Sequence, residues 1–369
     1  MSTLKVDAIR HNSATSDAIT TAAEGTCTAK ITGMTGGGGL SHRNKVINGD
    51  MTISQRGTTF SATTSSIYTL DRFQIATGTA FNFDTTTTQD SSTPDGFQKS
   101  LKITPDSTQT PTGSHNGTIR QMIEGQDVQD LAFGTSSAKS VTVSFYAKSA
   151  SSNNNHQYGV QLRTRDSAGA ARYVNQAFTV TTSWQRYTMT FAGNTSVAIR
   201  NDNGNGFEIC FHLASGSTDI VSATSTWTTS GSFLTVTGQS NFMDNTSNEF
   251  YLTGVQLEVG DTATSFEHRS VGDEMLRCKR YFQPFIQYAE YVSGGTGNLG
   301  FPYTAFTVPM RASPTFVSDH ESKSSNWSFT SMQVQGSDAY GYYAYAISYN
   351  TTNSNYGYMR KYGQASAEL

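Results

Sequence analysis

Phe250–Val259 reads FYLTGVQLEV, a strand whose apolar residues change parity part-way along. Phe250 and Leu252 share one parity, and Val255, Leu257 and Val259 share the other. The change falls at Gly254, which predicts a β-bulge that lets the strand keep a single face on a core. Gly260-Asp261 is expected to end it. Such a strand needs partner strands beside it and a core beneath. The rest of the chain must therefore supply strands.

It does so in short runs with a period of two. Val141, Val143, Phe145 and Ala147 alternate with Thr142, Ser144, Tyr146 and Lys148, the pattern of a half-buried strand. Phe207, Ile209, Phe211 and Leu213 alternate with Glu208, Cys210 and His212, and Tyr187, Met189 and Phe191 with Thr188 and Thr190. Further runs surround Leu101 and Ile103, Ile119 and Ile123, and Val160 and Leu162. About eight to ten strands over some 220 residues, with no long helical period, predict a sandwich or jelly roll. Aromatic residues at 11% and charged residues at 14% fit sheets whose polarity comes from Ser, Thr, Asn, Gln and Gly. The fold class expected is all-β.

Charge and length narrow the function. Lysine and arginine number 25 against 28 acidic residues, for a net charge of −3, and no basic stripe is present, which argues against a nucleic-acid partner. Apolar runs stop far short of the roughly 20 residues of a membrane span, so no membrane insertion is expected. MSTLKVDAIRHNS has no apolar h-region, so no secretory signal is expected. Cys27, Cys210 and Cys278 are odd in number and widely spaced, against a disulfide framework.

Four segments follow. In residues 1–40 the sparse Leu4, Val6, Ile9, Ile19 and Ile31 cannot bury a core alone, leaving a disordered arm or a pooling of several chains. The run Gly36-Gly37-Gly38-Gly39 is a hinge, not a phosphate loop, because Leu40-Ser41-His42 follows it. Residues 41–270 carry the sandwich. VGDEMLRCKRYFQ, residues 271–283, is a short helical connector with acids early and bases late, matching the helix dipole. Residues 284–369 form a smaller second β unit.

The stretch TGVQLEVG…FEHR…GDE…RC.RY.Q resembles the segment that closes a lectin-like jelly roll in tail fibre and other virion appendage proteins of tailed phages, those of marine cyanobacterial type above all. RNKVINGDMTISQRG, YTLDRFQI and IRQMIEGQDVQDLAFGTSSAKSVTVSFYAKS stand in that family's order, and the last also resembles glycan-binding jelly-roll modules. TAFTVPMRASPTFV resembles a strand and turn of the family's C-terminal domains, and residues 1–33 resemble its particle-attachment segment. The resemblance implies a virion protein assembled in the bacterial host cytoplasm. It also implies a homotrimer, held to other virion proteins through residues 1–40, with intertwined strands there.

Chemistry is sparse. Gly113-Ser114-His115-Asn116-Gly117 lies in a turn and is a poor nucleophile elbow. The seven histidines lack metal-ligand spacing. Glu208 and His212 share a strand face, read here as a solvated one. Glu124, Asp127 and Asp130 are an ordinary run of loop acids, and no D-x-D-x-D-G loop marks calcium. The β-helix repeat of glycan-cutting tailspikes is not visible. No catalytic residue, metal or cofactor is expected.

The positive signal is a tyrosine series. Tyr343, Tyr345 and Tyr349 share a strand face with Ile347, and Tyr356 and Tyr358 repeat the pattern after an Asn/Ser turn. Such rings offer apolar faces for sugar C–H groups beside a polar hydroxyl. The same face could equally be core or subunit interface, and both readings stay open. The sequence points to a non-enzymatic phage fibre or appendage protein that adsorbs to a host surface glycan or envelope protein. A purely structural head fibre, decoration protein or tail adaptor is the alternative.

Overall fold

The computed structural model describes residues 8–9, 19–21, 27–29, 42–62, 64–78, 81–229, 235–291, 297–300, 303–323, 327–329, 333–350 and 357–369. In chain order the strands of the central body are Thr59–Ala62 (β1), Ile67–Tyr68 (β2), Gln74–Gly78 (β3), Thr85–Asp90 (β4), Ser100–Pro105 (β5), Asn116–Glu124 (β6) and Val141–Ser149 (β7). They continue with Gln157–Arg165 (β8), Ala171–Thr179 (β9), Gln185–Phe191 (β10), Asn205–Ser215 (β11), Thr224–Thr228 (β12) and Phe250–Val259 (β13). A six-stranded sheet runs β10-β7-β13-β5-β4-β1, and a seven-stranded sheet runs β12-β9-β8-β11-β6-β3-β2. The chain is all-β as expected, built as a sandwich.

The alternating residues set the layers. Val141, Val143, Phe145 and Ala147 of β7 are fully buried, and Phe207, Ile209, Phe211 and Leu213 of β11 face them from the other sheet. Phe145 lies 5.0 Å from Phe178 and 4.9 Å from Phe211 by ring centroids, both edge-to-face, so one phenyl ring stitches the layers together.

The bulge falls where the parity changes. Ser144 pairs with Gln256 and Tyr146 with Thr253, so β13 carries one extra residue opposite Phe145. Gly254 has φ of 61°, and a Cβ there would stand 2.8 Å from the Phe97 ring. Phe250, Leu252, Val255 and Leu257 are all buried in one core as a result. β13 ends at Val259, before Gly260.

One expectation for β7 fails. It is not half-buried, because Thr142 and Ser144 on its outer side are 0% and 1% exposed. The chain after β13 folds back across that side: Thr142 Oγ1 donates to the Gly260 carbonyl, and Arg186 bridges Ser144 Oγ and the Thr264 carbonyl. Small hydroxyl side chains fit beneath such a strap.

In residues 1–40, Ala8–Ile9, Ile19–Thr21 and Cys27–Ala29 form a three-stranded antiparallel sheet within one chain. The helix Val271–Lys279 (α1) starts at Ser270, whose Oγ accepts the Asp273 N–H at 3.1 Å. Beyond it lie Phe282–Tyr291 (β14), Thr315–Lys323 (β15), Gly341–Asn350 (β16) and Gly357–Ser366 (β17). β14-β17-β15 make one sheet, and β16 is the hub of another, pairing with Gly297–Gly300, Thr304–Ala305, Trp327–Phe329 and Gln333–Ser337. Tyr342, fully buried, packs between Phe285, Phe306 and Phe316 in a small core of its own.

Candidate functional site

Ion pairs join the C-terminal strands to the sandwich. Glu124, at the end of β6, is 0% exposed, and it accepts two bonds from Arg280 and one each from the Tyr281 hydroxyl and Gln126, all at 2.7 Å. Arg72 is 1% exposed, pairs with Glu368 and lies 3.4 Å from the Tyr281 ring centroid. Arg56 pairs with the same Glu368 at 2.9 Å and lies 3.7 Å over the Phe282 ring. Burial pushes the Tyr281 hydroxyl well above its usual range, so it stays a donor to Glu124. These groups tie residues 280–282 and Glu368 to the sandwich. The loop acids are likewise not a loose cluster: Glu124 is saturated, and Asp130 pairs with Lys45 at 2.9 Å.

The sequence-derived tyrosines divide. Tyr343, Tyr345 and Tyr349 lie on β16, opposite Gly336, Gly300 and Ser328 respectively, and Tyr358 lies on β17 opposite Glu290. Their side chains, and Tyr356 altogether, lie outside the described residues. On β16 they hold the parity opposite to the buried Tyr342.

Two other tyrosines stand in the open at the start of the same strand. Tyr340 is 66% exposed and Tyr303 is 52% exposed. Asp338 joins them: its Oδ1 accepts the Tyr303 hydroxyl at 3.0 Å, the Tyr340 N–H at 2.8 Å and the Gly341 N–H at 2.9 Å. The Tyr340 N–H, then the Tyr303 hydroxyl, hold this carboxyl below its usual range. The Tyr303 ring runs so close to the backbone that a Cβ on Gly341 would sit 2.5 Å from its Cζ. Neither tyrosine belongs to an alternating run, so periodicity could not reveal them. The signal available was Asp338-Ala339-Tyr340-Gly341, a turn composition next to a tyrosine-rich strand.

Near α1 a cleft of about 730 Å³ opens between Arg269, Arg277, Leu276, Val308, Pro309 and His42. Val271 and Leu276 stand exposed beside it. Among the described residues the large hydrophobic side chains that stand exposed all lie beyond residue 270: these two, then Ile286, Tyr288, Tyr303, Val317 and Tyr340.

The Glu208 and His212 face is not solvated, against expectation. Glu208, Cys210 and His212 are all 0% exposed. Glu208 is ringed by Arg120, Arg163, Arg165 and Asn205. Residues 235–240 lie over the other end, where Gln239 donates to the His212 carbonyl and Asn175 to the Thr235 carbonyl. Burial, then Arg120, depresses His212 to about 3, and burial raises the Cys210 thiol to about 12. A thiol this basic and enclosed is a poor nucleophile. Among the described residues no group of three or more His, Cys, Asp or Glu is placed to hold a metal ion.

No family model matches the chain, and no curated protein matches it. Solved structures do. The enzymatically active domain of tailspike protein 4 from bacteriophage CBA120 is 13% identical, with a TM-score of 0.30, over 58% of this chain and 21% of the tailspike chain. The xylan-binding CBM22-1 domain of Paenibacillus barcinonensis Xyn10C is 14% identical, with a TM-score of 0.29, over 55% of this chain and 95% of that domain. The family 11 carbohydrate-binding module of a Clostridium thermocellum cellulosomal cellulase is 12% identical, with a TM-score of 0.29, over 57% of this chain and all of the module.

Proposed function

We propose that this protein is a non-enzymatic fibre or appendage protein of a phage virion, a homotrimer that adsorbs to a host surface glycan. In this reading residues 1–40 attach it to other virion proteins, the sandwich is its body, and the C-terminal β unit is its outward tip. The observation that carries it is that, among the described residues, the exposed large hydrophobic side chains all lie past residue 270, five of them in the C-terminal β unit, which Glu124, Arg72 and Glu368 tie to the body. Exposed apolar patches mark contact surfaces, and a rigid mount lowers the entropy lost on binding. The family resemblance of the sequence supplies the virion setting.

Particles carrying the chain without residues 284–369 test this. Loss of adsorption with normal particle assembly is the expected result. Unimpaired adsorption would favour the second reading, a purely structural virion protein. The cleft beside Val271 and Leu276 supports that alternative, because it would suit contact with a neighbouring virion protein.

A further inference from the structure

We infer that Tyr303, Asp338 and Tyr340 form a binding site for a neutral saccharide. This rests on the glycan-adsorption reading and narrows it to three residues and one ligand class. The two rings are the most exposed tyrosines among the described residues, at 52% and 66%. An exposed ring on a flexible loop would lose entropy on stacking; here the Tyr303 ring is held and Tyr340 sits on an anchored backbone. The Tyr303 hydroxyl is tied to Asp338 Oδ1, and its ring lies against the bare Cα of Gly341. Tyr340 is tied through its backbone at both polar groups: its N–H donates to Asp338 and its carbonyl accepts the Phe306 N–H at 2.8 Å. Asp338 N–H in turn donates to the Gly341 carbonyl at 3.0 Å, closing the turn. A held aromatic face beside a fixed acceptor, with a second ring on an anchored backbone, is what sugar recognition needs, since a pyranose presents an apolar C–H face and a rim of hydroxyl donors.

The carboxylate selects the ligand. Asp338 Oδ1 already accepts three donors, whereas Oδ2 has no partner among the described residues and stands at an exposed position. It accepts hydroxyl hydrogens and repels anions. Among the described residues no lysine or arginine pairs with Asp338 to offset its charge. A uronate or sialate would bring like charge to that oxygen, and a neutral hexose or N-acetylhexosamine would not. Binding that rests on stacking and hydrogen bonds should depend little on salt.

The full-length protein is tested on an array of neutral hexose and N-acetylhexosamine oligosaccharides beside uronate- and sialate-bearing ones. Wild type should bind neutral members, with Tyr303→Ala and Tyr340→Ala each weakening binding about tenfold or more at unchanged melting temperature. Tyr303→Phe, which keeps the ring and loses its tie, should give a smaller loss. Neutral binding that survives both alanine changes overturns this site and leaves the adsorption reading standing. Binding confined to acidic glycans overturns the ligand class. A lower melting temperature or altered oligomeric state in the alanine variants would assign the rings to a subunit contact. If wild type binds no glycan, both the site and the adsorption reading fall.

Discussion

Arg280 lays its guanidinium on Glu124 in a two-point fork, Nε to Oε1 and Nη2 to Oε2 at 2.7 Å each. The carboxylate is out of reach of water and the arginine is not: Glu124 is 0% exposed, the Arg280 side chain 35%. Removing the arginine leaves a buried charge with only the Tyr281 hydroxyl and Gln126 to satisfy it. Arg280→Ala should therefore destabilise the protein by about 3 kcal/mol, the lower end for a broken buried pair because solvent already screens the guanidinium. Arg280→Lys keeps the charge and loses the fork, so it should fall between. Denaturant melts of the three proteins measure this. Equal stability of Arg280→Ala and wild type would mean that water reaches Glu124.

Phe145 and Tyr146 are neighbours on β7 that face opposite ways. Phe145 is 0% exposed among Phe178, Tyr187 and Phe211, whereas Tyr146 is half-buried on the outer side against Phe97. Phe145→Ala should cost about 3–5 kcal/mol through lost burial and the cavity left behind. Tyr146→Ala should cost clearly less, since Phe97 can settle towards the gap. Thermal and urea melts compare them directly, and similar losses would contradict the assignment of the two faces.

Which parts of the fold could be read from the sequence follows from what a pattern encodes. Apolar residues at every second position mark a core face whatever lies on the other side. Val141 to Ala147 and Phe207 to Leu213 were therefore legible, and Gly254 marked the bulge because only an inserted residue reconciles the two parities of β13. Polar residues on the remaining face carry no such information. Thr142 and Ser144, or Glu208 and His212, read alike whether water or another stretch of chain covers them. Here the covers are residues 260–267 and 235–240, neither of which has a period of its own.

The candidate site was legible only as a composition. Tyrosine enrichment around β16 drew attention to the right end of the chain, but Tyr303 reaches Asp338, beside Tyr340, across 35 residues. The Glu124–Arg280 junction spans 156 residues, and nothing in either residue's neighbourhood names the other.

His212 gives stability a pH dependence whose sign is fixed. Its pKa falls from an ordinary 6.5 to about 3 in the folded chain, because burial, and then Arg120, disfavours the charged ring. Above pH 6.5 both states hold a neutral ring and nothing is lost. As pH falls from 6.5 towards 3 the unfolded chain takes up a proton that the folded chain refuses, and stability should drop by about 1.4 kcal/mol per pH unit. Neither ring nitrogen has a hydrogen-bond partner among the described residues, so His212→Leu should be tolerated at pH 7. The variant should lose less stability than wild type between pH 6.5 and 4. Parallel profiles for the two proteins would show that His212 is protonated or solvated in the native state.

The N-terminal segment sets the last expectation. Its strands Ala8–Ile9, Ile19–Thr21 and Cys27–Ala29 pair with one another, at two or three residues each. Strands of two or three residues pair too little backbone to persist alone without a hydrophobic face or further packing. Ile9 and Ile19 are partners across it, and in the sequence of residues 1–40 the larger aliphatic side chains are sparse, Leu4, Val6 and Ile31 among them. Copies of the segment packed around a common axis would bury those side chains against one another, and closed cyclic symmetry suits an outward-pointing appendage. Light scattering of the intact protein should give three chains per particle at micromolar concentration, and a clean monomer would rule out the oligomer. On the proposed virion reading, deleting residues 1–40 should abolish incorporation into virions while leaving the melting of the sandwich unchanged, because among the described residues its core begins at Val46. Incorporation of the truncated chain at wild-type levels would move attachment elsewhere on the molecule, with the exposed Val271 and Leu276 the first place to look.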